Sequence, residues 1–358
     1  MPNRSRLTEF AGLPVVEFTG WDTLRDDFGL AMYWARNRRE PHTGHPRRYD
    51  RLFEAVAAPG SVAWRLRMES PSYGSGSNSP IETLGQYLDR FTEFVAPAEV
   101  AALIVGSMEG DAEAMPSDEV RDRLIGLAPK LTAVRSLFFG EILQEENEIS
   151  WIEHGDLAPL LAAFPSLEAF TVRGGSAGPG LRIAEHRALR SLTVQSGALR
   201  PEVVRDVCAS VLPGLERLEL WPGSREYGGD STPEDLSPVL SGTAFPRLRH
   251  LGLRNAEGVD DWIPALAGAP VLPSLDTLDL SLGTLTDEGA RVLLDAPAFR
   301  ALKRLDLHHH YLSEETAERV RAEFTRAGVE VDVSGPQEAD VDEYDGVRHV
   351  HRYSAVSE

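Results

Sequence analysis

The stretch KRLDLHHHYL, Lys303 to Leu312, carries the densest chemistry in the chain. Asp306 and His308 are two residues apart, so on a strand they share a face. Asp279 holds the same place in the earlier phrase LDTLDL, and two carboxylates with an imidazole could hold a divalent cation. Against that, His309 must point away from His308, and His310 falls where the chain turns and needs an internal hydrogen-bond partner. The spacing favours the rim of a repeat over a metal centre, and no cofactor is expected. His349 and His351 form a second pair two apart, without a third ligand.

Other reactive groups are sparse. The loop ESPSYGSGSNSP holds Ser70, Ser72, Tyr73, Ser75 and Asn78 ahead of a helical stretch, and backbone amides there could cradle an anion. It lacks GxGxxG and a phosphate-binding lysine, and no histidine or aspartate can be paired with Ser75. A connector is the simpler reading; a small-molecule or phosphate site at residues 69–80, hydrolytic in one version, is the alternative. Cys208 sits between Val207 and Ala209 and reads as a small buried hydrophobe. No catalytic constellation stands out.

The chain has 358 residues, 42% apolar and 26% charged, with formal net charge -20. Such a surface repels phosphate backbones and anionic membranes, so neither nucleic acid nor membrane is expected as a partner. The one basic patch, Arg36 to Arg48 with His42 and His45 near Trp34, is local. A single cysteine excludes an intrachain disulfide. No stretch approaches a membrane span, and MPNRSRLTEFAGLPVVEF has no apolar core of signal-peptide length. A cytoplasmic setting is the expectation.

These residues are positioned by a repeat. A six-residue phrase, apolar at its first, fourth and sixth places, starts at Leu167, Leu189, Leu215, Leu248, Leu275 and Leu302, at intervals of 22, 26, 33, 27 and 27 residues. Weaker copies begin at Val100 and Val134, and VEVDV (329–333) adds a further strand. Alternation within the phrase predicts a strand with one buried face. Helical segments follow: DVCASVLPG, DWIPALAG, DEGARVLLDAP and EETAERVRAEFTRAG, the last closed by Gly328. Neither element can bury its face alone, whereas stacked units can.

The phrase resembles the leucine-rich repeat with one strand and one helix per unit, as in ribonuclease-inhibitor-like horseshoes. The chain as a whole is similar to uncharacterised bacterial leucine-rich-repeat proteins. Leu199, Leu285 and Leu312 keep the eleventh-place leucine, but the ninth place holds Gly175, Gly197, Gly223, Ala256, Gly283 and His310, never asparagine. Glycine there would let the turn approach its neighbour closely. The resemblance implies an α/β solenoid, with about ten parallel strands on a concave face and helices on the convex face.

Residues 60–335 are assigned to the solenoid and 1–59 to an N-terminal cap, with a strand in PVVEF and a helix in RRYDRLFEAVAAP. In the first unit, SVAWRLRM reads as a one-sided strand, and the next helix is capped by Ser79 with Pro80 in its first turn. Residues 336–358 form an acidic tail, disordered in one reading and in the other ending in a strand, Val347 to Val356, over the last repeat.

The second, third, fifth and seventh places of each phrase would line the concave face. Its candidate binding residues are Arg173, Arg217, Glu219, Trp221, His250, Arg254, Asp279, Asp306 and His308, with Trp221 and Arg254 as anchors. The function expected is non-catalytic binding of a protein or peptide. A structural subunit in a larger assembly is a further alternative.

Overall fold

The computed structural model describes residues 4–20, 50–68, 82–108, 117–175, 180–345 and 347–356. The chain forms two compact units, Ser5–Glu146 with Pro159–Val172, and Asn147–Ala158 with Arg173–Glu358 and Met1–Arg4.

The first unit contains strands β1 (Glu9–Phe10), β2 (Leu13–Phe18), β3 (Ala63–Met68), β4 (Ala102–Met108), β5 (Ser136–Glu141) and β6 (Ala169–Arg173). Its helices are α1 (Asp50–Ala57), α2 (Leu84–Phe94) and α3 (Ser117–Leu127), and α4 (Ala158–Ala163) precedes β6. β1 and β2 form a hairpin across Ala11 (φ 54) and Gly12 (φ 73), a two-residue turn with both residues left-handed. β2 then pairs in parallel with β3, Val15 opposite Ala63, and β3 to β6 continue in parallel. PVVEF is therefore itself a parallel strand of the sheet. α2 is capped by Thr83, while Ser79 and Pro80 lie outside the described residues: the Thr83 side chain accepts from the Gln86 N–H, and the Gln86 side chain accepts from the Thr83 N–H.

β3 is buried on both faces, where alternation predicted one. On one side Trp64 packs with Phe18 and Phe91, ring centroids 6.3 and 5.7 Å away. On the other, Leu7, Phe10, Leu13 and Val15 pack over Ala63, Ala102, Ile104 and Phe138. The buried Arg65 side chain is paired with a buried carboxylate. Its Nε and Nη2 donate to Glu141 at 2.5 and 2.9 Å, and Nη2 also donates to the Leu7 carbonyl at 2.6 Å. Glu141 in turn accepts from the Leu7 N–H at 2.8 Å. The N-terminal segment is thus fixed to the strand face of its unit by both polar groups of Leu7.

The second unit carries the strong repeats as β7 (Ser191–Gln195), β8 (Arg217–Leu220), β9 (His250–Leu253), β10 (Thr277–Asp279), β11 (Arg304–Asp306) and β12 (Glu330–Asp332), all parallel. Leu218, Leu251, Leu278 and Leu305 stand in register and are fully buried. The helices are α5 (Pro201–Cys208), α6 (Ser237–Leu240), α7 (Ile263–Ala267), α8 (Asp287–Asp295) and α9 (Glu314–Arg326). α5 begins at Pro201, ahead of the stretch read from sequence, because proline suits a first helical turn. α9 is capped by Ser313, whose hydroxyl accepts from the Thr316 N–H, and is followed by Gly328 at φ 85. Cys208 is buried, and that burial pushes its thiol up to about 12, as suits a packing residue. Among the described residues, no helix is long and apolar enough to cross a membrane.

The tail matches neither expectation. β13 (Asp340–Tyr344) and β14 (Val347–His351) pair with each other as a hairpin in which every described residue is exposed, and β14 does not cover β12. Only the residues after the hairpin return to the repeats.

The ninth-place glycines answer to close approach. A Cβ on Gly223, at φ 75, would lie 1.9 Å from the Gly197 carbonyl oxygen; one on Gly283 would lie 2.6 Å from that of Ala256. Where His310 takes this place, Nδ1 accepts from the Leu312 N–H and Nε2 donates to the Val333 carbonyl, both at 3.1 Å. That is the structural role expected of it. Gly223→Ala combines a left-handed residue with a backbone clash, so urea denaturation should show a loss of about 3 kcal/mol or more.

Candidate functional site

Three successive repeats turn through a left-handed residue that is not glycine. Asn255 (φ 56), Leu282 (φ 66) and His309 (φ 60) all occupy the eighth place of their phrase. Each costs on the order of 1 kcal/mol relative to glycine, least for asparagine. Their amides extend the sheet ladder into the turns: Asn255 donates to Ser281, Leu282 to His308 and His309 to Ser334, at 2.8, 2.9 and 2.9 Å. The three residues form a ledge at the ends of β9, β10 and β11.

All three meet one segment, Tyr353 to Val356. The Asn255 amide faces the backbone of Val356 with both its ends, Oδ1 accepting from the Val356 N–H at 2.8 Å and Nδ2 donating to the Val356 carbonyl. The Ala355 N–H donates to the Leu282 carbonyl at 2.8 Å. At the far end, the Tyr311 hydroxyl accepts from the Tyr353 N–H at 2.9 Å and donates to the Tyr353 carbonyl at 3.0 Å, with His309 Nε2 3.4 Å from the same carbonyl. The Val356 side chain is buried against Ile149, Trp221 and Leu282. The segment crosses the repeats from last to earlier, held by its backbone, by the buried Val356 side chain and by Ala355 packed beside it.

Beside the ledge runs a strip of charge. Glu219 accepts from Trp221 Nε1 at 2.9 Å, from Arg254 at 3.0 Å and from Arg217 at 2.6 Å. Burial alone would raise its carboxyl, but Arg254, Arg217 and the indole together hold it below the usual range. Asp279 has Arg254 at a longer 3.4 Å and Asp306 nearby, and burial pushes its carboxyl up. Arg217 donates to His250 Nδ1 at 2.9 Å, so that nitrogen is an acceptor and the ring is neutral. Burial, then Arg217, lower the His250 imidazole to about 4. Asp306 accepts from His308 Nδ1 at 2.7 Å and from Arg304 at 3.1 Å. Burial opposes its charge, yet those bonds hold Asp306 at about 2, and the Asp306 bond raises His308.

The trio Asp279, Asp306 and His308 does not assemble as one donor set. Asp279 groups with Glu219 and His250, and Asp306 and His308 group with Asp332, each set within 4.8 Å. Arginines already neutralise these carboxylates, so a dication at the first set would have to displace Arg254 and Arg217 from them. The arrangement is an ion-pair lattice across β8 to β12.

The expected face residues divide by burial. Trp221, 1% exposed, is no free anchor, because Val356 and Ile149 cover it; Arg254 stacks 5.5 Å over its ring and keeps 19% of its side chain exposed. Arg173 is buried with its Nε donating to Gln195 at 2.9 Å. Arg217, His250, Arg304 and His308 remain part-exposed. The loop 69–80 and the patch Arg36 to Arg48 lie outside the described residues. A cleft of about 290 Å³ between Ala128, Val134 and Phe164 has no ionisable lining residue. Sequence reading missed the ledge; asparagine at an eighth place was its one visible sign.

No protein-family model and no curated protein matches the sequence. Among solved structures, a protein from Bacteroides fragilis is 30% identical, with a TM-score of 0.68 over 80% of this chain and 78% of that one. An internalin from Listeria monocytogenes is 16% identical over 79% of this chain and 70% of its own, with a TM-score of 0.39.

The two strip histidines should titrate in opposite directions. His250, lowered from 6.5 to about 4, contributes stability that is full above pH 6.5 and lost as pH falls toward 4. His308, raised above 6.5, contributes below pH 6.5 and loses its contribution as pH rises through its folded value. NMR of the ring protons should show His308 still charged at pH 6.5, with His250 neutral down to about pH 4.

Proposed function

We propose that this chain, which belongs to the leucine-rich-repeat proteins, binds a protein segment on the strand-end ledge of its second unit. One observation carries the reading: the ledge holds a short stretch, Tyr353 to Val356, bent at Ala355, through Asn255, Leu282 and Tyr311. Those bonds go to backbone groups, so they do not depend on side-chain identity, while the seat of Ile149, Trp221 and Leu282 selects an aliphatic side chain. Left-handed backbone maintained at Leu282 and His309, where glycine would be easier, is the kind of strain that persists at binding sites.

The charged strip supplies the second component. Arg217, Arg304 and His308 present partly exposed donors beside buried carboxylates, an arrangement suited to choosing among partners by charge pattern. A formal net charge of -20 supports a protein partner over a phosphate backbone.

The test uses the full chain with Val356→Asp, which places a carboxylate where the aliphatic seat would receive it and so frees the ledge. A fluorescently labelled peptide of residues 349–356 should bind this variant saturably in an anisotropy titration. Adding Tyr311→Phe should weaken binding about fivefold, and adding Asn255→Ala at least about tenfold. No binding at several hundred micromolar, with an unchanged circular dichroism spectrum, would contradict the proposal.

A further inference from the structure

We infer that residues 353–356 are a resident competitor for this ledge, kept deliberately weak, and that the partner segment displacing them carries an aliphatic residue at the place of Ser354. The inference rests on the peptide-binding reading above and adds to it the regulation of the site and the chemistry of its ligand.

Three observations carry it. The first is how the segment is tethered. β13 and β14 pair only with each other, and Val341, Tyr344, Val347 and Val350 are 50, 73, 55 and 43% exposed. Release of the segment therefore breaks its own ledge contacts and no core packing of the hairpin. The second is the nature of those contacts. Apart from Val356 in its seat and Ala355 packed beside it, they are hydrogen bonds to backbone groups, which another segment that follows the same bent path reproduces.

The third is a defect at the centre of the docked segment. Ser354 is 7% exposed, and its hydroxyl oxygen is out of solvent contact with no hydrogen-bond partner among the described residues. A buried hydroxyl without a partner loses its hydration and gains nothing in exchange. The neighbours on either side, Tyr353, Ala355 and Val356, are each bonded through their backbone. Only the Ser354 side chain works against docking. A segment with alanine at this place keeps every bond and avoids the loss, so it binds a free ledge more tightly than the resident sequence does and offsets part of the advantage of the tether.

The experiment compares three full-length chains against the labelled peptide of residues 349–356: wild type, Val356→Asp and Ser354→Ala. The Val356→Asp chain, with its ledge free, should bind most tightly. Wild type should bind at least about tenfold more weakly, because the tethered segment competes at high effective concentration. Ser354→Ala should bind more weakly still, by about a further tenfold, because its resident segment no longer buries a bare hydroxyl. A peptide carrying Ser354→Ala should also bind the Val356→Asp chain about tenfold more tightly than the unaltered peptide.

Each failure has a separate meaning. If the Val356→Asp chain binds no peptide, the peptide-binding reading itself falls. If it binds, but no more tightly than wild type, the ledge is a peptide site and the resident segment is not its competitor. If Ser354→Ala binds as wild type does, the hydroxyl does not set the strength of docking. Melting temperatures of the three chains guard against reading misfolding as lost affinity.

Discussion

Parallel strands about 4.8 Å apart leave little room for the turn that follows each of them. In this chain the turns of successive repeats stack as closely as the strands do, and the Gly223 position, 1.9 Å from a carbonyl oxygen if it bore a Cβ, shows how little space there is. That crowding fixes which residues stand at the eighth and ninth places. Where the ninth place is glycine or alanine, the turn closes on its neighbour; where it is His310, an imidazole joins two backbone groups across the turn. The eighth place is then driven left-handed at Asn255, Leu282 and His309.

This constraint has a useful consequence. A left-handed residue at the end of each of three strands produces a row of polar backbone and side-chain groups at the spacing of the sheet. An extended chain can lie on such a row without unfolding any of it. The Asn255 amide serves both polar groups of one residue, as the Tyr311 hydroxyl serves both of another. The first unit uses a related device, with Arg65 and Glu141 bracketing the N–H and carbonyl of Leu7. In each unit, considered on its own, a terminal piece of the same polypeptide packs on the strands or their ends.

The repeat phrase made the strands legible because its leucines answer to a single physical demand, burial toward the helices, and that demand is met locally. Leu218, Leu251, Leu278 and Leu305 stand in register as their spacing requires. The opposite face was harder to read. Alternation says which side of a strand a residue takes, but not what covers that side. Trp221 and Phe138 were both placed on the open face, and both are buried by segments far away in sequence, Val356 and Phe10. Such contacts leave no periodic trace. The charged residues were read as separate candidates, yet they pair across strands, Arg217, Glu219, Arg254 and Asp279 in one group and Arg304, Asp306, His308 and Glu330 in another, since pairing depends on which strands are neighbours. His308 and Asp306 are together because they are two residues apart at the end of β11; Asp332 joins them only through the sheet.

The central claim is that the segment Tyr353 to Val356 is held on the ledge by its backbone. Amide hydrogen exchange at Ala355 and Val356, followed by NMR in the intact chain, tests it most directly. The account predicts exchange at both amides slowed at least about 100-fold relative to a free peptide of the same sequence, with the protection lost when Asn255 is replaced by alanine. Exchange of both amides at the free-peptide rate in the unaltered chain would contradict it.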